Sequence, residues 1–163
     1  MARRVFFSFH YERDIWRANV VRNSWVTQDD REAAVFWDAS LWEEAKKRGD
    51  DAIKRMIDKA LEGTSVTAVL IGAETAGREW VKYETKKSHE NGNGLLGVYI
   101  HNIKDQDENT DTKGSNPFDN FYIEENGKRT YLSAIYPTYD WVNDDGYENF
   151  GDWVEEAAKK ANR

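Results

Sequence analysis

The chain has 163 residues, with 23 Lys+Arg against 30 Asp+Glu, a formal net charge of -7, no Cys and two Pro. That length predicts one domain over 1–163 with a core that needs no staples, and the missing Cys excludes a disulfide framework and fits a reducing compartment such as the cytoplasm. The acidic balance argues against nucleic acid or an anionic membrane as partner, and no apolar run approaches a membrane span or the core of a signal peptide.

Residues 4–9 (RVFFSF) are apolar on both faces of an extended chain and predict a buried strand. Residues 13–23 predict a helix with Ile15, Trp16 and Val20 on its apolar side. Residues 33–37 (AAVFW) predict a second short strand. Residues 51–63 predict an amphipathic helix, because Ile53, Met56, Ile57, Ala60 and Leu61 recur at helical spacing before Gly63. Residues 65–71 (SVTAVLI) give the strongest strand pattern, β-branched and almost wholly apolar. A helix over 79–91 follows, stopped by Asn91-Gly92, and then a strand over 95–100 (LLGVYI). Residues 104–128 are polar and acidic and predict a long loop. Residues 131–136 predict a fifth strand. The last helix carries Phe150, Trp153, Val154, Ala157, Ala158 and Ala161 on one face.

Buried strands alternating with helices predict an α/β fold: a flavodoxin-like three-layer sandwich around a central parallel five-stranded sheet, in the order 2-1-3-4-5. Ligands of such sheets bind beyond the carboxyl ends of the strands. The residues to weigh are therefore Phe9-His10-Tyr11, Asp38-Ala39-Ser40, Gly72-Ala73-Glu74 and His101-Asn102. They exclude some chemistry. The paired acids and phosphoacceptor Asp of a phosphate-accepting receiver are missing, as are a Walker A segment and a GxGxxG. Asp105, Asp107, Asn109 and Asp111 have the alternate spacing of a calcium loop, but Thr110 stands where Gly should be and Asn116 where the bidentate Glu should be. A solvated acidic loop is the better reading. The three His have no metal-ligand spacing, so no metal site is expected; His10, at a strand end among aromatics, is the one of interest.

Seven Trp, eight Tyr and seven Phe are a heavy aromatic load for a polar chain. Phe6, Phe36, Trp37 and Tyr99 read as core, Trp141 and Tyr147 as packing for the last helix, and some of the remaining rings as platforms for a flat ligand. Trp80 and Glu84, four apart, share one helix face near the predicted cleft. Spacing alone also allows a packed Trp80 and an exposed Glu84–Lys87 pair.

Residues 4–9 resemble the first box of TIR domains, residues 64–72 (TSVTAVLIG) their third strand, and Trp80-Val81-Lys82-Tyr83-Glu84 the W-x-x-x-E of the helix that carries their catalytic glutamate. More closely, the whole chain resembles the TIR-like proteins of the bacterial Thoeris anti-phage system. The features carrying that likeness are VFFSFHY, Asp38-Ala39-Ser40-Leu41-Trp42, RxWVxYE, Gly114-Ser115-Asn116-Pro117-Phe118 and Tyr139-Asp140-Trp141-Val142 with Asp144-Asp145-Gly146-Tyr147. The Arg-Asp and Pro-Gly of a receptor-type BB loop are missing, Asp38-Ala39-Ser40 standing in their place, and residues 104–128 are shorter than the family leads one to expect.

The resemblance implies cleavage of the nicotinamide–ribose bond of NAD and ring closure to a cyclic ADP-ribose isomer that signals to a separate effector. NAD is then a substrate, with no further cofactor, and self-association on activation is expected. Glu84 is the implied catalytic residue. Ser8, Phe9, His10, Tyr11, Asp38, Ser40, Trp80 and Asn116 form the implied substrate-binding set, with Phe9, Tyr11, Trp42 and Trp80 as stacking rings and Arg13, Arg78 or Lys82 as donors to the phosphates. A non-catalytic TIR scaffold and a nucleoside deoxyribosyltransferase-like enzyme are the alternatives.

Overall fold

Short apolar runs become strands, and the longer periodic runs become the helices that cover them. The computed structural model describes residues 3–33 and 39–163. In chain order the elements are β1 (Arg3–Ser8), α1 (Tyr11–Val26), β2 (Arg31–Ala33), α2 (Ala39–Arg48), α3 (Asp50–Glu62), β3 (Val66–Ile71), α4 (Glu79–Glu90), β4 (Gly94–Tyr99), β5 (Tyr122–Glu125), β6 (Lys128–Tyr131), α5 (Leu132–Ile135), β7 (Thr138–Asp140) and α6 (Gly146–Lys160). The main sheet has five strands in the order β2-β1-β3-β4-β7, all parallel. This is the predicted flavodoxin-like order.

Strand alternation sorts the core into two layers. Val5, Phe7, Ala68, Leu70, Leu96 and Val98 face α1 and α6, where they meet Ala18, Val21, Trp25, Phe150, Trp153 and Val154. Phe6 points the other way, onto Ile53, Ile57 and Leu61 of α3, while Val69, Ile71 and Leu95 meet Val81 of α4. Phe150 is the aromatic hub of the first layer, its ring within 5.7 Å of both Trp25 and Trp141 and 6.1 Å of Phe7.

Several expectations need correction. The buried side of α1 is Asp14, Arg17, Ala18, Val21 and Trp25. Trp16 is 49 % exposed and Val20 38 %, because two charged residues take the inward positions that a purely apolar stripe would fill. Helix α2 is an element that the sequence reading lacks; its polar surface is held by ion pairs from Lys46 to Glu12 and Arg48 to Glu44. Residues 104–128 are not one loop. They contain a single-turn helix (Pro117–Asn120) and the start of the β5–β6 hairpin. Asn126 and Gly127, with φ of 53° and 78°, supply the left-handed pair such a turn requires. Residues 131–136 hold α5, and the fifth sheet strand is β7. Pro137 decides this: it has no N–H to give the ladder, and its carbonyl accepts from Gly97 N at 3.0 Å just before β7 begins. Tyr147 is 70 % exposed, whereas Trp141 does pack, buried over Gly146. Phe6 is core as expected and Tyr99 is half-buried; Phe36 and Trp37 lie outside the described residues. No helix among the described residues is long and apolar enough to cross a membrane.

Truncating the hub measures how much of this architecture it carries. Phe150→Ala should cost about 3–5 kcal/mol in chemical denaturation, since the surrounding rings cannot close the void. Tyr147→Ala should stay within about 0.5 kcal/mol of the parent.

Candidate active site

The carboxyl ends of β1 and β3 open into a cleft whose floor is a buried carboxylate. Glu84, in the second turn of α4, is 3 % exposed, and the Ser8 hydroxyl donates to its Oε1 at 2.7 Å. Its burial takes it away from the exposed pairing with Lys87 that spacing alone allowed. The helix cannot turn away from this position, because a polar seam fixes its rotation. The Ser88 hydroxyl donates to the Glu84 carbonyl at 2.7 Å, so the Thr67 hydroxyl of β3, also 2.7 Å away, is the donor to Ser88. Thr67 and Ser8 sit on neighbouring strands and face the same layer. The strand end thus holds the carboxylate from in front and the helix from behind.

Phe9, His10, Tyr11, Glu12, Arg78, Trp80, Val81 and Glu84 line the cleft. Phe9 is buried and Tyr11 half-buried, with ring centroids 6.3 Å apart. Trp80 is half-buried and stands edge-on to Tyr83 at 5.9 Å, and the Tyr83 hydroxyl is anchored on Asp58 at 2.7 Å. Burial, then the adjoining Asp58, pushes the Tyr83 phenol up to about 12, so it stays a donor. The indole is therefore braced from behind, leaving its other side to the cleft. His10 is the N-cap of α1, its Nδ1 accepting from Arg13 N at 3.4 Å. Burial, then the nearby Arg78 guanidinium, lowers the His10 pKa and keeps the ring neutral, as a capping acceptor must be. The cleft holds about 20 Å³, roughly one water molecule, so its walls must part to admit a ribose. Beside it, a shallower hollow of about 380 Å³ lies between Ala73, Glu74, Gly77, Ser115 and the same Arg78. An apolar groove of about 390 Å³ between His89, Tyr136, Tyr139 and Lys160 lies at the opposite end of the sheet, where β4 begins, and contains no residue of this cleft.

Of the predicted site residues, Ser8, Phe9, His10, Tyr11, Trp80 and Glu84 come together at one cleft. Asn116 does not: it caps the single-turn helix, accepting from Phe118 N at 2.9 Å, and its neighbour Ser115 reaches the hollow instead. Asp38 lies outside the described residues, as do the side chains of Ser40 and Trp42 in the first turn of α2. Arg13 is engaged by Glu74 at 2.9 Å and Asp111 at 3.0 Å, Lys82 is exposed outside the lining, and Arg78 borders both cavities. Asp105 accepts from the backbone N–H groups of Asp107 and Asn109, an ordinary loop cap, and no metal-binding cluster occurs among the described residues. His89 is bonded to the Tyr136 hydroxyl at 2.6 Å, whereas Nδ1 of the buried His101 has no hydrogen-bond partner among the described residues. Sequence reasoning missed Asp14 and Thr75, buried beside the turn after β3. The only signal was the spacing of Asp14 and Arg17, which join Ala18, Val21 and Trp25 on one helix face.

Two comparisons match this chain to known proteins. The family model described as the TIR-like domain of Thoeris protein ThsB matches residues 6–105, which include the second half of β1, all of β3 and α4, and the whole cleft lining. A protein of Bacillus cereus (strain MSX-D12), named as a candidate cyclic ADP-D-ribose synthase, ThsB1, is 44 % identical over 191 residues, covering 94 % of this chain and 100 % of the relative. The aligned span exceeds the 163 residues of this chain, so the relative carries insertions that are missing here.

The Ser8–Glu84 bond can be tested before any chemistry. Ser8→Ala leaves a buried carboxylate oxygen without its hydroxyl donor and should cost about 1–3 kcal/mol in denaturant unfolding. Ser8→Thr keeps a hydroxyl and should recover part of that loss.

Proposed function

We propose that this chain, which belongs to the TIR-like family of the Thoeris protein ThsB, cleaves the nicotinamide–ribose bond of NAD and closes the product into a cyclic ADP-ribose isomer. The observation that carries the reading is the buried Glu84 carboxylate held by Ser8 at the floor of an aromatic-lined cleft. The relative named for cyclic ADP-D-ribose synthesis supports it.

One carboxylate suffices for this reaction. Most glycosidases need a second carboxyl to protonate the departing oxygen. In NAD the leaving group is a cationic pyridinium: when the C1′–N bond breaks, its electron pair neutralises the ring, and no acid is required. What needs stabilising is the positive charge that develops on the ribose. Glu84, fixed in a site that water barely enters, supplies a counter-charge that need not reorganise. A nucleophilic atom of the adenosine half then bonds to C1′, and if that atom is a hydroxyl oxygen its proton passes to the carboxylate. Intramolecular capture wins over hydrolysis only if the adenine end folds back and water stays out. Phe9, Tyr11 and Trp80 provide the flat surfaces for the two bases. Arg78, between cleft and hollow, is placed to meet the pyrophosphate, which a chain of net charge -7 must bind through local donors. Asp38 and Ser40 complete the substrate-binding set in this reading, on the ribose hydroxyls or phosphates, together with the side-chain NH2 of Asn116, whose oxygen is held by Phe118 N. NAD is substrate and no cofactor is needed. The protein works in the cytoplasm in anti-phage defence, its cyclic product acts on a separate effector, and self-association accompanies activation.

The test is to incubate the protein with NAD, alone and with lysate of phage-infected cells, and to separate nicotinamide from the ADP-ribose species. The wild type should release nicotinamide together with a cyclic isomer, and Glu84→Gln should lose roughly a hundredfold or more while keeping its melting temperature within a few degrees. Equal turnover by the two proteins would remove Glu84 from the mechanism. No nicotinamide from wild type in either condition would leave a scaffold as the function.

A further inference from the structure

We propose that Asp14 is a positioning residue: its buried carboxyl pins the turn that leads into α4, and so Arg78, Trp80 and Glu84, against the first turn of α1, which follows His10 and carries Tyr11. The role rests on the cleft being the NAD site, but the contact itself can be tested without turnover.

Asp14 is 1 % exposed and lies flat on Gly72, the residue directly after β3. A Cβ on Gly72 would stand 2.2 Å from Asp14 Oδ2 and 2.7 Å from Oδ1, so the carboxyl occupies the space of the missing side chain. From the loop after β4, Gly114 closes on the same residue, where a Cβ would stand 2.1 Å from the Gly72 carbonyl oxygen. The turn is thus clasped between α1 and that loop. Thr75 completes the clasp. Its Oγ1 accepts from Gly72 N at 2.7 Å, and its proton faces both Asp14 Oδ2 and the Leu70 carbonyl at 3.5 Å. Three residues on, the chain reaches Arg78 and enters α4. At the other end of the contact, Asp14 N closes the first turn of α1 on the His10 carbonyl at 2.9 Å. One side chain therefore couples the two walls of the cleft.

The carboxyl is poorly provided for as an anion. Among the described residues Oδ1 has no hydrogen-bond partner, and the one donor to Oδ2 is shared. The charges around it are Arg13 and Arg17 on its own helix and Asp111 on the loop after β4. Both arginines are committed elsewhere, Arg13 to Glu74 and Asp111, Arg17 to the carbonyls of Ile103 at 2.7 Å and Asn109 at 2.8 Å. A surface carboxylate would do no structural work here, and an apolar side chain would lack the bond to Thr75. Burial, only partly offset by Arg13, pushes Asp14 up to about 6. The folded state then binds a proton that the unfolded chain has released, so the contribution of this group to stability falls as pH rises from about 4 to about 6 and stays reduced above that. The neutral form is the one the pocket fits.

The variants are Asp14→Asn, Asp14→Ala, Gly72→Ala and the Asp14→Ala/Gly72→Ala double. Asp14→Asn mimics the neutral acid, so at about pH 8 it should melt several degrees above wild type, and the gap should close at about pH 4.5. Asp14→Ala should lower kcat/KM for NAD roughly tenfold to a hundredfold, with Asp14→Asn restoring most of it. Gly72→Ala should destabilise the wild type strongly but add little once Asp14 is Ala, a coupling readable by melting alone. Equal melting temperatures of Asp14→Asn and wild type at both pH values, or an equal cost of Gly72→Ala in both backgrounds, would overturn the proposal. A wild type that turns over no NAD would remove the proposed function and leave that coupling measurable.

Discussion

A carboxylate taken out of water must be paid for by its surroundings, and the burial of Glu84 constrains much of this molecule. Its oxygen needs a donor, and the last residue of β1 supplies one at 2.7 Å. For the donor to reach, α4 must lie in a fixed rotation over the sheet, and Thr67 and Ser88 hold it there with a second set of hydroxyls. Hydroxyl side chains on two adjacent strands thus do at the layer boundary what apolar packing does elsewhere. They fix geometry as well as burial, because a hydrogen bond is lost within a few tenths of an ångström and an apolar contact is not. The pre-set counter-charge that the proposed reaction requires is a consequence of that docking.

The sheet provides the rest by topology. Parallel strands deliver every β-to-α turn to one edge, so His10, Tyr11, Gly72 and Arg78, from separate stretches of sequence, meet at one end. The apolar groove between His89 and Tyr139 shows the contrast. It is roomier than the cleft, but it lies at the strand starts and contains neither Glu84 nor Ser8. Volume alone would choose the wrong end of the molecule for this chemistry. The aromatic load divides the same way. Phe7, Trp25, Trp141, Phe150 and Trp153 fill the layer under α1 and α6, and Phe9, Tyr11 and Trp80 remain at the cleft.

Much of this was legible in the sequence, for identifiable reasons. β3 and β4 are continuous apolar runs, and α3 and α6 have clean helical periods, so local pattern and tertiary burial agree. The parallel sheet followed from the alternation, its strand order from the flavodoxin-like arrangement, and the place to look for a cleft from the rule that ligands sit beyond the strand ends. What failed did so where local pattern and tertiary demand diverge. Helix α1 buries Asp14 and Arg17 because they hold the turn after β3 and the loop after β4, and a hydrophobicity stripe cannot foresee charged side chains turned inward. The residues after Tyr131 read as a strand, but the missing N–H of Pro137 moves the sheet's last strand to Thr138. The β5–β6 hairpin was hidden by its acidic surroundings although Asn126-Gly127 names its turn. Asn116 belongs to neither group: resemblance points to it, and its side-chain oxygen caps the single-turn helix.

In the proposed function NAD binds over Glu84 at the strand ends. Amide and indole chemical shifts of isotope-labelled Glu84→Gln protein, titrated with NAD, test it most directly, because binding can then be followed without turnover. Saturable shifts are expected at Phe9, His10, Tyr11, Arg78 and the Trp80 indole N–H, with His89, Tyr136 and Tyr139 unmoved. Shifts confined to the groove around His89 and Tyr139, with the Trp80 indole silent, would contradict it.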